Sequence, residues 1–208
     1  LYGNMFDTKK LNIFIKKKKL KIDIIEDSAH SLESSIQGYK SGKWSKAAIF
    51  SFYATKNITC GEGGAVITND KKFAIKIKKL KNFGLTQTAL EKYKSKKHNE
   101  VDMKDLGIKA NLSDLLSFLL LPQIKNIKKN LSLRKKIYNR YLNLLKNTNI
   151  KIPKIPLKCS SAFHIFVIGV EKRKRNKILN YLKKKNIGCS IHYKPLHKMT
   201  YYKKKYKL

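Results

Sequence analysis

Apolar residues recur along this chain at two spacings, one helical and one strand-like. After Asp7 and Thr8, either of which can cap a helix, Leu11, Phe14 and Ile15 fall on one side of a lysine-rich helical repeat. Residues 22–25 form a short apolar run that ends at Glu26-Asp27, the pattern of a buried strand. Residues 47–52 and 65–68 read as two further strands, separated from the first by a polar loop over 38–46. Asn69-Asp70 then caps a helix from Lys71 to about Lys81, and residues 86–106 read as an irregular loop. Ser113-Asp114 opens a long helical region to about Lys146, with Pro122 expected to kink or divide it. Two prolines mark 151–158 as a linker. Beyond it the pattern predicts a strand over 163–170, a helix over 173–185 ended by Asn186 and Gly188, and a strand over 189–193.

Strands alternating with helices predict an α/β layer built on a mostly parallel sheet. In such sheets ligands bind beyond the carboxyl ends of the strands. Asp27 and the segment leading to Lys56 both fall at such ends. We expect residues 1–130 to belong to a large domain and 131–208 to supply a linking helix and a smaller α/β domain.

Composition changes the picture in one respect. A formal charge of +35 over 208 residues suggests a partner with negative charge, a nucleic acid or an anionic surface. Only four of the 48 basic residues are arginine, however: Arg134, Arg140, Arg173 and Arg175. Specific phosphate and base readers use arginine for its bidentate fork, whereas here lysine is spread over nearly every expected helix surface. Solvated lysines arising from an AT-rich coding bias explain this pattern, so we expect no specific nucleic acid. A lysine-rich polyanion binder remains the alternative from another class. Cys60, Cys159 and Cys189 form no close pair and no metal-type spacing, which fits a cytoplasmic, reducing setting without a metal. The strongly apolar stretch 115–121 is too short to span a bilayer, so no membrane insertion is expected. No signal-peptide pattern opens the chain, which starts at Leu1 and is expected to be a fragment.

The candidate chemistry centres on Lys56, within Ser51-Phe-Tyr-Ala-Thr-Lys-Asn-Ile-Thr-Cys-Gly-Glu-Gly-Gly64, with Asp27 placed 29 positions earlier. A lysine can hold a pyridine aldehyde as a Schiff base while a carboxylate keeps the ring nitrogen protonated. Gly61-Glu62-Gly63-Gly64 lacks phosphate-loop spacing and precedes a strand, not a helix. It reads as a turn needing positive φ and close backbone approach.

Four separated segments resemble one family. They are Glu26-Asp-Ser-Ala-His30, the lysine segment 50–64, Gly107-Ile-Lys-Ala-Asn-Leu-Ser-Asp114, and Ile187-Gly188 through His192-Tyr-Lys-Pro-Leu-His197. In order and content they resemble the DegT/DnrJ/EryC1/StrS sugar aminotransferases, most closely the UDP-4-amino-4-deoxy-L-arabinose aminotransferase branch. The resemblance covers essentially the whole chain. It implies a PLP-dependent transferase type I fold, with part of the large domain and part of the small C-terminal domain present. It implies pyridoxal 5'-phosphate (PLP) as cofactor, a nucleotide-linked keto sugar as substrate, and an amino donor such as L-glutamate. Lys56 matches the catalytic lysine, and Asp27 the partner of the pyridine nitrogen. His30 matches a residue against the cofactor ring or its phenolic oxygen, and Ser51 a phosphate anchor. Asn111 matches a residue that reaches the phosphate from the neighbouring subunit, which implies a homodimer. His192, Tyr193 and His197 match the substrate-side rim. Each has a plainer alternative: Asp27 as a turn cap, His30 and the rim residues as packing, Ser51 as a strand hydroxyl, Asn111 as a helix cap.

The chain departs from the family at several places. Phe118 stands where a small residue is usual and is expected to crowd a helix contact. Ile108 and Ala110 replace aromatic positions. The family's first part, with its cofactor-phosphate loop, precedes Leu1, and the closing strands of the small domain lie beyond Leu208. A non-catalytic remnant of such an enzyme is therefore a third reading.

Overall fold

The structure is a computed structural model that describes residues 1–86, 93–94 and 100–207. Of the expected loop over 86–106, residues 87–92 and 95–99 lie outside the described residues. By contacts the chain forms two units, one of Leu1–Thr148 with Lys154–Val167 and one of Asn149–Pro153 with Ile168–Leu208.

In the first unit, helix α1 (Thr8–Lys17) starts where Asp7 accepts a hydrogen bond from the Lys10 amide at 3.1 Å. The same carboxylate accepts from Tyr39 Oη at 2.5 Å and Gln37 Nε2 at 2.7 Å, so one side chain ties the helix start to the polar loop. Burial first, and then the Asp7 contact, push the Tyr39 phenol up to about 12, while the Tyr39 hydrogen bond leads the lowering of Asp7.

Strands β1 (Ile25–Asp27), β3 (Ala47–Ser51) and β4 (Gly64–Ile67) make a sheet in the order β1-β3-β4. β1 runs parallel to β3 with Asp27 opposite Ile49, and β4 runs antiparallel to β3 with Gly64 opposite Ser51. The described sheet is thus mixed where a mostly parallel one was expected. The reason is the connection: a parallel return needs a crossover, and residues 52–63 contain no helix to make one. A second, two-residue ladder joins β2 (Ser35–Ile36) to β5 (Cys159–Ser160) in antiparallel fashion.

Helix α2 (Lys71–Leu80) is capped by Asp70, whose Oδ1 accepts from the Phe73 amide at 3.0 Å. Lys46 bridges the loop before β3 to this cap, lying 3.1 Å from Asp23 and 3.7 Å from Asp70. Its ammonium is held up in pKa mainly by Asp23, and Asp70 is held down mainly by the Phe73 amide.

The long helical region is divided into α3 (Asp114–Phe118), α4 (Leu120–Lys125) and α5 (Ile127–Leu145). The first break falls at Leu119, not at Pro122. Pro122 occupies the first turn of α4, where its missing N–H would have no helical partner, so it breaks no interior hydrogen bond. Phe118, expected to be crowded, is 64% exposed. Helix α5 groups with the first unit, whereas residues from 131 onward were read as a link to the smaller domain.

In the second unit, Lys151 and Gly169 form an isolated antiparallel bridge. Helix α6 (Lys172–Lys184) ends before Asn186, which takes the left-handed conformation at φ 57°, the stop that its sequence announced. A 3₁₀ turn (Leu196–Lys198) and helix α7 (Thr200–Tyr206) follow, neither of them expected from the lysine-rich sequence. Residues 163–170 and 189–193 do not form the expected strands among the described residues. A strand exists only by pairing, and apart from the Gly169 bridge no described neighbour supplies partners. No helix among the described residues is long and apolar enough to cross a membrane.

Two outcomes follow from these contacts. Asp70→Ala removes the α2 cap and should lower stability by about 1 kcal/mol in chemical denaturation. The Tyr39 phenol has its folded pKa raised from 10.0 to about 12, so its stabilisation is complete below pH 10 and is lost as pH rises through 12. Tyr39→Phe should flatten that alkaline loss in unfolding curves recorded across this window.

Candidate active site

The lysine turn is built by the hairpin-like return from β3 to β4. The Phe52 amide donates to the Gly63 carbonyl at 2.8 Å and the Cys60 amide to the Phe52 carbonyl at 3.0 Å, closing the loop at its neck. Within it the Lys56 amide donates to Tyr53 O at 2.9 Å, forming a tight turn that projects from the sheet end. Gly61 holds φ 85°, as its sequence setting required, and a Cβ on Gly64 would lie 2.8 Å from the Phe50 carbonyl. Beneath the turn, Ile58, Cys60 and Leu120 form a buried apolar cluster with Leu112 and Leu116 packed on it. Gln123 of α4 clamps the loop from the other side: the Thr59 amide donates to Gln123 Oε1 at 2.9 Å, and Gln123 Nε2 donates to Thr59 O at 2.7 Å.

Lys56 lines a narrow cleft whose other walls include Ser28, His30, Ser51, Asn57 and His164. Three of the expected residues therefore share one site: Lys56, Ser51 and His30. Ser51 Oγ accepts the Tyr53 amide at 3.3 Å, which leaves its own proton to donate. His30 Nδ1 accepts from the Tyr2 amide at 3.4 Å, and its ring lies 4.3 Å from that of His164, tilted by 40°.

Asp27 ends β1 immediately before the cleft-lining Ser28 and is exposed. Its Oδ1 accepts the Ala29 amide at 3.1 Å, so the turn-capping role is present in the fold. Asn111 does not line this cleft. Turned so that its amide nitrogen faces Lys81 O at 3.0 Å and its oxygen faces Lys109 Nζ at 3.2 Å, it sits beside the end of α2. It does not cap α3; Ser113 does, through its hydroxyl and the Leu116 amide at 3.3 Å. His192, Tyr193 and His197 belong to the second unit, all exposed, with the His192 and Tyr193 rings stacked at 4.3 Å.

Four residues around the cleft were not singled out from the sequence as site residues. Glu33 is buried and pairs with Arg134 of α5, which also donates through Nε to the Ala162 carbonyl at 3.2 Å. Asn57 Nδ2 donates to Glu33 Oε2 at 2.8 Å and to Ala162 O at 3.2 Å, and Asn57 Oδ1 faces His164 Nδ1 at 2.8 Å. Three of these contacts, Glu33 with Arg134, Asn57 with Ala162 and Asn57 with His164, span 101, 105 and 107 positions, which no local pattern reveals. One signal was available: Arg134 is one of four arginines in a chain that otherwise uses lysine.

A primary amine, a hydroxyl and an imidazole in one cleft, with a carboxylate at the adjoining strand end, fit the aldehyde, phosphate and ring nitrogen of PLP. The donor set therefore suits that cofactor.

Comparison with known proteins agrees with the geometry. The model of the DegT/DnrJ/EryC1/StrS aminotransferase family matches residues 1–208. Protein MJ1066 of Methanocaldococcus jannaschii is 36% identical over 188 residues, 87% of this chain and 48% of that protein. The spore coat polysaccharide biosynthesis protein SpsC of Bacillus subtilis is 32% identical over 189 residues, 88% of this chain and 49% of its own length. The putative sugar aminotransferase Spr1654 of Streptococcus pneumoniae, in its PLP form, superimposes with a TM-score of 0.85 at 28% identity, covering 98% of this chain and 55% of that one. The chain thus spans about half the length of the relatives it matches, within the type I fold of PLP-dependent aminotransferases. On the match of its whole length, this chain belongs to the DegT/DnrJ/EryC1/StrS aminotransferase family.

Proposed function

We propose that this chain serves the PLP-dependent transamination of a nucleotide-linked keto sugar, with an amino acid such as L-glutamate as donor, in amino-sugar or polysaccharide biosynthesis. The observation that carries the reading is the meeting of Lys56, Ser51 and His30 in one cleft beside the β1 end that bears Asp27. SpsC, a spore coat polysaccharide biosynthesis protein, and Spr1654, a putative sugar aminotransferase, support the substrate class.

Bound PLP would supply an electron sink for the electron pair left when a proton is removed from the carbon beside nitrogen. Lys56 would anchor the cofactor aldehyde through its amine and, once displaced, move the substrate proton as a base. Asp27 would hold a proton on the ring nitrogen, and Ser51 would donate to the phosphate. His30 would pack against the ring. Asn111 is assigned to the phosphate of a neighbouring subunit, which requires a homodimer, and His192, Tyr193 and His197 to the sugar. The closed space of the cleft is only about 10 Å³, room for roughly one water against the roughly 300–1,000 Å³ usual for small-molecule sites, so the proposed cofactor needs walls beyond those of this cleft. The proposed setting is cytoplasmic, and the large positive charge is assigned to solvated lysines.

The decisive experiment incubates the protein with PLP, reduces with borohydride and maps pyridoxyl-lysine by peptide mass spectrometry. Lys56 should be labelled far above the other 43 lysines, and Lys56→Ala should lose that label; even labelling across all lysines sinks the assignment. Asp27→Asn should retain the label while slowing single-turnover reaction with L-glutamate by about 10²-fold or more, because the ring nitrogen loses its proton partner.

A further inference from the structure

The buried carboxylate of Glu33 shapes the cleft from behind. Its side chain is 4% exposed, and it takes Arg134 on one oxygen and the Asn57 amide on the other. Asn57 directly follows Lys56. Its nitrogen faces two groups that only accept, Glu33 Oε2 and the Ala162 carbonyl, so its amide cannot be turned round without losing both bonds. Asn57 Oδ1 must then be the acceptor at 2.8 Å from His164 Nδ1, and that nitrogen must carry a hydrogen. In the neutral ring this leaves Nε2 as the basic nitrogen of a histidine that lines the same cleft as Lys56.

Arg134 is what orients the carboxylate. Nη2 binds Glu33 Oε1 while Nε binds the Ala162 carbonyl, two directions at once that a planar guanidinium supplies and an ammonium does not. In a chain where 44 of 48 basic side chains are lysine, arginine stands at this fork. The Ala162 carbonyl thus receives both Arg134 and Asn57, which locks residues 162–164 against the lysine turn.

We propose that Arg134, Glu33 and Asn57 are positioning residues for the Lys56 cleft, fixing the lysine turn and setting His164 as its Nδ1–H tautomer. The catalytic sense of this arrangement rests on the PLP reading of the site; the arrangement itself does not.

The test is therefore made on two readouts. Long-range proton–nitrogen NMR of the histidine rings in the intact protein should show wild-type His164 as a single Nδ1–H tautomer. Arg134→Lys, which keeps the charge and loses the fork, should turn that into a tautomer mixture, and Asn57→Leu should abolish the preference. A cooperative melting curve identifies variants that remain folded. Pyridoxyl labelling of Lys56, relative to the surface lysines, should fall by about tenfold or more in Arg134→Lys. An Nε2–H or mixed tautomer in the wild type overturns the proposal without needing any variant. So does a folded Asn57→Leu protein whose His164 signal is unchanged, or a folded Arg134→Lys protein with wild-type tautomer and labelling. If wild-type Lys56 shows no selective labelling while His164 is Nδ1–H and responds to both substitutions, the cofactor reading fails and the relay stands.

Discussion

A buried carboxylate must be paired, and much of the first unit is arranged to satisfy Glu33. An unpaired charge at this depth would cost several kcal/mol, more than most single contacts can offset. The pairing recruits Arg134 from α5 and Asn57 from the lysine turn, and both share the Ala162 carbonyl. Ser34, the next residue, extends the knot: its hydroxyl donates to the Gly3 carbonyl at 2.5 Å and accepts the Ala162 amide at 3.1 Å. Five separate stretches of chain meet in this polar core, at Gly3, Glu33–Ser34, Asn57, Arg134 and Ala162, and Ile58 of the apolar cluster with Cys60 and Leu120 directly follows Asn57.

This division between polar and apolar support explains how a chain so rich in lysine keeps a defined site. Lysines on the exposed faces of the described helices lie in high dielectric, which makes them nearly neutral toward the fold. The exceptions are few and specific. Lys46 sits between Asp23 and Asp70, and Lys40 donates to the Glu33 carbonyl at 2.5 Å, where partial burial lowers its pKa. In both cases an acidic or carbonyl partner holds the ammonium in place.

Much of this was legible from local pattern. Asp7 and Asp70 as caps, the strand end at Asp27, the Gly61 turn and the Asn186 stop all depend on residues within a few positions of one another. Pattern failed where the deciding partner was distant or absent. β4 runs antiparallel because of what the loop before it lacks, and residues 163–170 carry strand composition without a ladder to join. Pro122 misled in the opposite direction, since its effect depends on which helical turn it occupies. At the site, Lys56, Ser51 and His30 could be grouped by motif, but Asn111 lies by the end of α2, outside their cleft, and Asp27 engages its own turn. Glu33, Asn57 and His164 had no signal of their own, because each matters through a residue far along the chain.

That distance has a kinetic consequence. Glu33 and Arg134 are 101 positions apart, Asn57 and Ala162 are 105 apart, and Gly3 meets Ser161 across 158. Loops this long close late, after local turns and helices have formed. During synthesis the lysine turn is therefore complete in covalent terms long before Arg134 and Ala162 reach it. The last partners of that network arrive with α5 and the segment behind it, so competence at the cleft reports that the ends of the first unit have found each other.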